Sequence, residues 1–136
     1  MTFDEMMEAQ KKPTKYRRKP RDLEHKLQCQ MVKWFRIQYP NMVHNLFAVP
    51  NGGRRDEVTA AKMKAEGMLA GVSDIILLKP NRFYGALLIE TKTKVGRQSD
   101  KQKEWQKKIT NDGYKYVIVR SLDDFIREVN QYLSDE

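Results

Sequence analysis

Two apolar segments, "DIILLK" (Asp74 to Lys79) and "YGALLIETK" (Tyr84 to Lys92), constrain this chain more than any other feature. Neither alternates apolar with polar residues, as a strand with one wet face would, so both are expected to be strands covered on both sides. Pro80, Asn81, Arg82 and Phe83 stand between them, a turn composition that predicts an antiparallel hairpin. A hairpin buried on two faces needs helices above and below it. In 136 residues that leaves room for one domain and one core.

The flanking sequence supplies those helices. "DLEHKLQCQMVKWFRIQYP" reads as a helix capped by Asp22 and closed near Tyr39 and Pro40. At about 100° per residue its inward stripe is Leu23, Leu27, Met31, Trp34 and Phe35, and Glu24 and Gln28 fall on the same side. "MVHNLFAV" predicts a short strand, "PNGG" a loop, and "RRDEVTAAKMKAEG" a second helix ending at Gly67. A third helix is expected in "SDKQKEWQKKITNDG", between Ser99 and Gly113, then a strand in "YKYVIVR". In the final helix, "SLDDFIREVNQYL", Ser121 and Asp124 have capping-box spacing. The order α, β, α, β, β, α, β, α gives an α/β fold with a mixed β-sheet flanked by helices.

"KKPTKYRRKPR", Lys11 to Arg21, carries seven positive charges, two prolines and no acid. It predicts a flexible basic arm over residues 1–21, with the folded domain over 22–136. The whole chain has a net charge of +8, which favours a polyanionic partner because each neutralised phosphate releases counterions. No apolar run approaches the roughly 20 residues of a membrane span. A single cysteine, Cys29, excludes an internal disulfide. A soluble, cytoplasmic protein without a nucleotide cofactor is expected.

The apolar run of the second hairpin strand ends in Glu90, Thr91 and Lys92, with Asp74 opening the first strand. Side chains alternate along a strand, so Glu90 and Lys92 share a face while Thr91 points away. A short turn brings Asp74 beside Glu90. Two carboxylates at one spot form a hard-oxygen site for Mg²⁺ or Mn²⁺, which resolves their repulsion. Lys92 beside it can orient or deprotonate a water, or neutralise charge on a phosphate. This is the equipment of metal-dependent phosphodiester hydrolysis.

"GVSD" (Gly71 to Asp74) spaced before "ETK" (Glu90 to Lys92) resembles the PD-(D/E)xK nuclease core, the restriction-endonuclease-like fold. With "EHKLQ", "VPNGG", "SDKQKEW" and "GYKYVIV" in order, the pattern from Asp22 to Leu133 resembles the VRR-NUC branch. The resemblance implies that Asp74, Glu90 and the carbonyl of Thr91 hold the metal and that Lys92 is catalytic. It further implies that Glu24 contributes to the site directly or through water, and that Gln102 supports it. Ser73 departs from the pattern, standing where a proline often precedes the acid. The family is associated with branched or flapped DNA, and its standalone members resemble junction-resolving homodimers. Contacts to DNA are expected from Arg17, Arg18 and Lys19 of the arm, from Arg54, and from Lys94, Arg97 and Lys101, with Asn51 at the rim.

A structure-specific DNA endonuclease is therefore the expected function. Restriction-type cleavage of a duplex sequence would differ only in substrate. A non-catalytic nucleic-acid-binding domain on the same fold is the alternative from another class. Its affinity would fall with salt and ignore chelators.

Overall fold

The computed structural model describes residues 2, 3, 20–50 and 56–135. Arg17, Arg18, Lys19, Asn51 and Arg54 lie outside the described residues. Four strands, β1 (Leu46–Ala48), β2 (Ile75–Leu77), β3 (Leu87–Thr91) and β4 (Lys115–Val119), form one sheet in the order β1-β2-β3-β4. The expected hairpin is present: β2 and β3 are antiparallel, with Ile75 opposite Ile89 and Leu77 opposite Leu87. β1 pairs antiparallel with β2, and β4 pairs parallel with β3. The parallel step requires a crossover, which a helix supplies.

The helices are α1 (Pro20–Gln38), α2 (Glu57–Ala65), α3 (Asp100–Asn111) and α4 (Leu122–Ser134). Odd residues of β3, Leu87 and Ile89, face α1 and α4. With Met31, Phe35, Ile75, Val119, Phe125 and Val129 they make the main core, where each fully buried large apolar side chain contributes about 1.5–3 kcal/mol. The even residue Leu88 faces the other way and packs with Ala86, Tyr116, Trp105 and Ile109 beneath α3. All five residues of β3 are buried, as its unbroken apolar run predicted.

Local chemistry explains the ends of these elements. Asp56 caps α2 by accepting the Thr59 N–H. Ser99 and Gln102 close a full capping box on α3, and Ser121 caps α4 by accepting the Asp124 N–H. Three expectations need correction. α1 starts at Pro20, so Asp22 lies in its first turn, where a carboxylate favours the helix dipole, and is not its cap. Leu23, expected in the inward stripe, is 44% exposed; it lies in the first turn, ahead of the stretch that Met31 and Phe35 anchor in the core. The strand expected over "MVHNLFAV" is only Leu46–Ala48. Pro40 fixes the backbone of a 3-10 turn, Pro40–Met42, and successive turn bonds (Met42 N to Tyr39 O, Asn45 N to Met42 O) occupy the residues before it.

Candidate active site

The site is built where β2 begins and β3 ends. One step beyond the Ile75–Ile89 pair, the ladder brings Asp74 opposite Glu90, and opposed residues of an antiparallel pair share a face. The Asp74 backbone is fixed on its other side, its carbonyl accepting the Val49 N–H at 2.8 Å. Its carboxylate Oδ2 accepts the Thr91 N–H at 2.7 Å across the hairpin. Burial pushes the Asp74 carboxyl above the ordinary carboxylate range, and neighbouring Glu90 adds to the rise; the Thr91 N–H acts in opposition.

Glu90 is fully buried, 0% exposed. Its Oε1 is the shared acceptor of the Tyr116 hydroxyl and of Gln98 Nε2 at 3.3 Å. Gln98 is itself fixed by donating to Gln106 Oε1 at 2.7 Å. Burial, and then the bond to Glu90, push the Tyr116 phenol far above its usual value, so it stays a donor at every physiological pH. The other oxygen, Glu90 Oε2, is buried with no hydrogen-bond partner among the described residues. A carboxylate oxygen withdrawn from water without a donor is costly. A cation would remove that cost.

Lys92, just past the end of β3, is half-buried, and its own N–H is tied to the Val119 carbonyl at 3.0 Å. Glu24 approaches from the first turns of α1. Burial raises its carboxyl, Lys92 pulls it back, and Asp74 and Glu90 raise it further; the Thr93 backbone N–H bonds to it. Four of the residues singled out in the sequence, Asp74, Glu90, Lys92 and Glu24, thus act on one another electrostatically. Among the described residues, no three His, Cys, Asp or Glu side chains converge into a ready-made metal cage. What is present is a pair of carboxylates, each with one oxygen taken by a protein donor. Glu90 Oε2 is left over on one of them, and among the described residues no bond to Asp74 Oδ1 is formed. That donor set, all oxygen and short of partners, fits Mg²⁺ or Mn²⁺.

Other residues are placed differently. The Gln102 side chain is folded back on its own helix, its Oε1 accepting the Ser99 N–H at 2.8 Å. The amide that touches Glu90 is Gln98, one turn upstream. Lys94, Arg97 and Lys101, which follow Lys92 in the chain, are exposed; of the three only Lys94 lines the pocket that holds Glu24 and Lys92. Tyr116, Gln98 and Arg120 were not singled out from sequence. Arg120, at the end of β4, donates through Nη1 to the carbonyls of Thr93 and Gly96, both at 2.7 Å, and so holds the loop after Lys92. The signal for Tyr116 was its parity in "YKYVIVR": in a parallel pairing Tyr116 lies opposite Leu88 and shares the face of Glu90.

The VRR-NUC domain family model matches residues 8–123. A solved structure described as a VRR_NUC domain protein superposes with a TM-score of 0.72, covering 82% of this chain and 88% of that one at 25% identity. No curated protein matches the chain.

Proposed function

The chain belongs to the VRR-NUC family and so to a nuclease-type lineage, and from that premise we propose that it is a divalent-metal-dependent endodeoxyribonuclease acting on branched DNA. The observation that carries the proposal is the partnerless Glu90 Oε2, buried beside Asp74 at the end of the hairpin. Asp74, Glu90 and the Thr91 carbonyl would hold Mg²⁺ or Mn²⁺, with Glu24 nearby. Bound there, the ion would supply charge neutralisation at the scissile phosphate and acidify an adjacent water. Tyr116 and Gln98 hold Glu90 in one rotamer, and the Thr91 N–H does the same for Asp74. Lys92 brings an ammonium to the phosphate as negative charge grows on it, a contribution that is largest where water is excluded. Water adds to phosphorus, the bond to the leaving oxygen breaks, and a proton passes to that oxygen.

In this reading Lys94, Arg97 and Lys101 contact the DNA, and Arg17, Arg18, Lys19, Arg54 and Asn51, outside the described residues, are further contacts. A homodimer would present two such sites to two strands of a junction. Action in the cytoplasm fits the exposed free thiol of Cys29. The resemblance set out from the sequence supports the branched substrate and the dimer. The test is cleavage of labelled linear, single-stranded, flapped, splayed and four-way DNAs with Mg²⁺, Mn²⁺ or EDTA. Metal-dependent cutting of the branched DNAs, lost in Lys92→Ala, is expected. Salt-sensitive binding with no cutting under either metal would leave a DNA-binding domain in place of an enzyme.

A further inference from the structure

Between the α2–β2 segment and α3 lies a pocket of about 540 Å³. One wall is the segment between α2 and β2, with Met68 and Leu69, and the other is Lys101, Glu104 and Trp105 of α3; Lys64 lines it from the last turn of α2, and the pocket is open to solvent. The volume is in the range of pockets that hold small organic ligands. The wall is rigid. Gly67 has φ +106°, and Met68 donates its N–H to the Met63 carbonyl at 2.9 Å. At Gly71 (φ +91°), an added Cβ would meet the Lys101 carbonyl at 2.6 Å, so the segment lies directly on the first turn of α3. Leu69 remains 57% exposed on this wall.

We propose that this pocket receives one unstacked nucleobase of the DNA whose phosphate is held at Asp74 and Glu90; the proposal rests on the nuclease reading above and deepens it to a substrate class, DNA with an unpaired nucleotide in the neighbourhood of the cleavage point. Three features select a base over other occupants. Met68, Leu69 and Trp105 give an apolar, partly aromatic lining, which takes the face of any base. Glu104 places a carboxylate among the lining residues, which repels a phosphate but can accept from the exocyclic amine of cytosine or adenine. Lys64 and Lys101 carry the charges that attract the backbone to either side.

The cavity is also joined to the chemistry. Trp105 meets the Tyr116 ring edge-on at 6.0 Å between centroids, and the Tyr116 hydroxyl holds Glu90. A base seated on Trp105 is thus two side chains from the carboxylate that would hold the metal. A base inside a regular duplex is stacked and cannot enter, whereas a branch point supplies one at little cost.

The experiment is abasic scanning. Splayed-arm and four-way DNAs carrying one abasic residue at successive positions are titrated with full-length Lys92→Ala protein, with and without Leu69→Glu. At one position, removal of the base is expected to weaken binding about tenfold, and in the Leu69→Glu background the same removal should change nothing. Because Leu69 is exposed, that variant should keep the wild-type melting temperature. Binding that ignores every abasic position, in a wild-type protein that cuts DNA with metal, would overturn this proposal alone. Equal sensitivity in the Leu69→Glu background would do the same. Absence of binding to any DNA would overturn it together with the nuclease reading.

Discussion

At Asp74 the surroundings of a single carboxyl act against stability. Its carboxylate is held beside Glu90, and burial raises it above the ordinary range, so in the absence of metal its negative charge opposes folding at neutral pH. The sign is that of a raised pKa. The stability is present while the group is protonated and is lost as pH rises through its folded-state value. Neutralising the residue should therefore stabilise the metal-free protein. Asp74→Asn keeps an oxygen to accept the Thr91 N–H, and in EDTA it is expected to melt above wild type, by about 4 °C for each kcal/mol relieved. Added Mn²⁺ should raise the melting temperature of wild type and leave that of Asp74→Asn unchanged, and the variant should not cut DNA. A melting temperature below wild type in EDTA would show that the bond to Thr91, and not the repulsion, dominates at this position.

At the scale of elements, the junction between the α2–β2 segment and α3 is the least forgiving. Gly71 needs a left-handed backbone, and any side chain there strikes the Lys101 carbonyl. Gly71→Ala is expected to cost more than about 2 kcal/mol in urea unfolding, from backbone strain and the clash together. Gly67→Ala shares the positive φ but has nothing within 4 Å of the added carbon, so it should cost less. If the two cost the same, strain alone would account for both. The elements themselves were largely legible in the sequence, and for local reasons. The hairpin follows from Pro80, Asn81 and the two apolar runs, which is enough to bring Asp74 near Glu90; the register that sets them directly opposite is seen only in the pairing of β2 with β3. The caps at Ser99 and Ser121 are written within four residues. Non-local facts were not legible. That Gln98 reaches Glu90 depends on where α3 docks, and Tyr116 reaches it only because β4 pairs parallel with β3. Gln102 has the right spacing for two roles, and the nearer partner, the Ser99 N–H, takes its oxygen. Pro40 hid a turn inside a segment whose composition reads as strand.

For the molecule as a whole, the net charge of +8 sets how it meets its substrate. Neutralising phosphates makes affinity fall linearly in log salt, by about 0.9 for each contact on duplex DNA. Replacing Lys94, Arg97 and Lys101 together by alanine should therefore flatten that slope by about three while leaving the melting temperature near wild type, since all three are exposed. An unchanged slope would place the backbone contacts elsewhere on the surface. One further consequence concerns the order in which the chain is made. The acids and Lys92 are translated well before Tyr116, which holds Glu90, and before Arg120, which ties down the loop at Thr93 and Gly96. A nascent chain still short of Tyr116 carries both acids and Lys92 but lacks the hydroxyl that holds Glu90 and the guanidinium that ties down the loop after Lys92. On the proposed reading the site is complete only once β4 has emerged, and a fragment that ends before that strand is expected not to cut DNA.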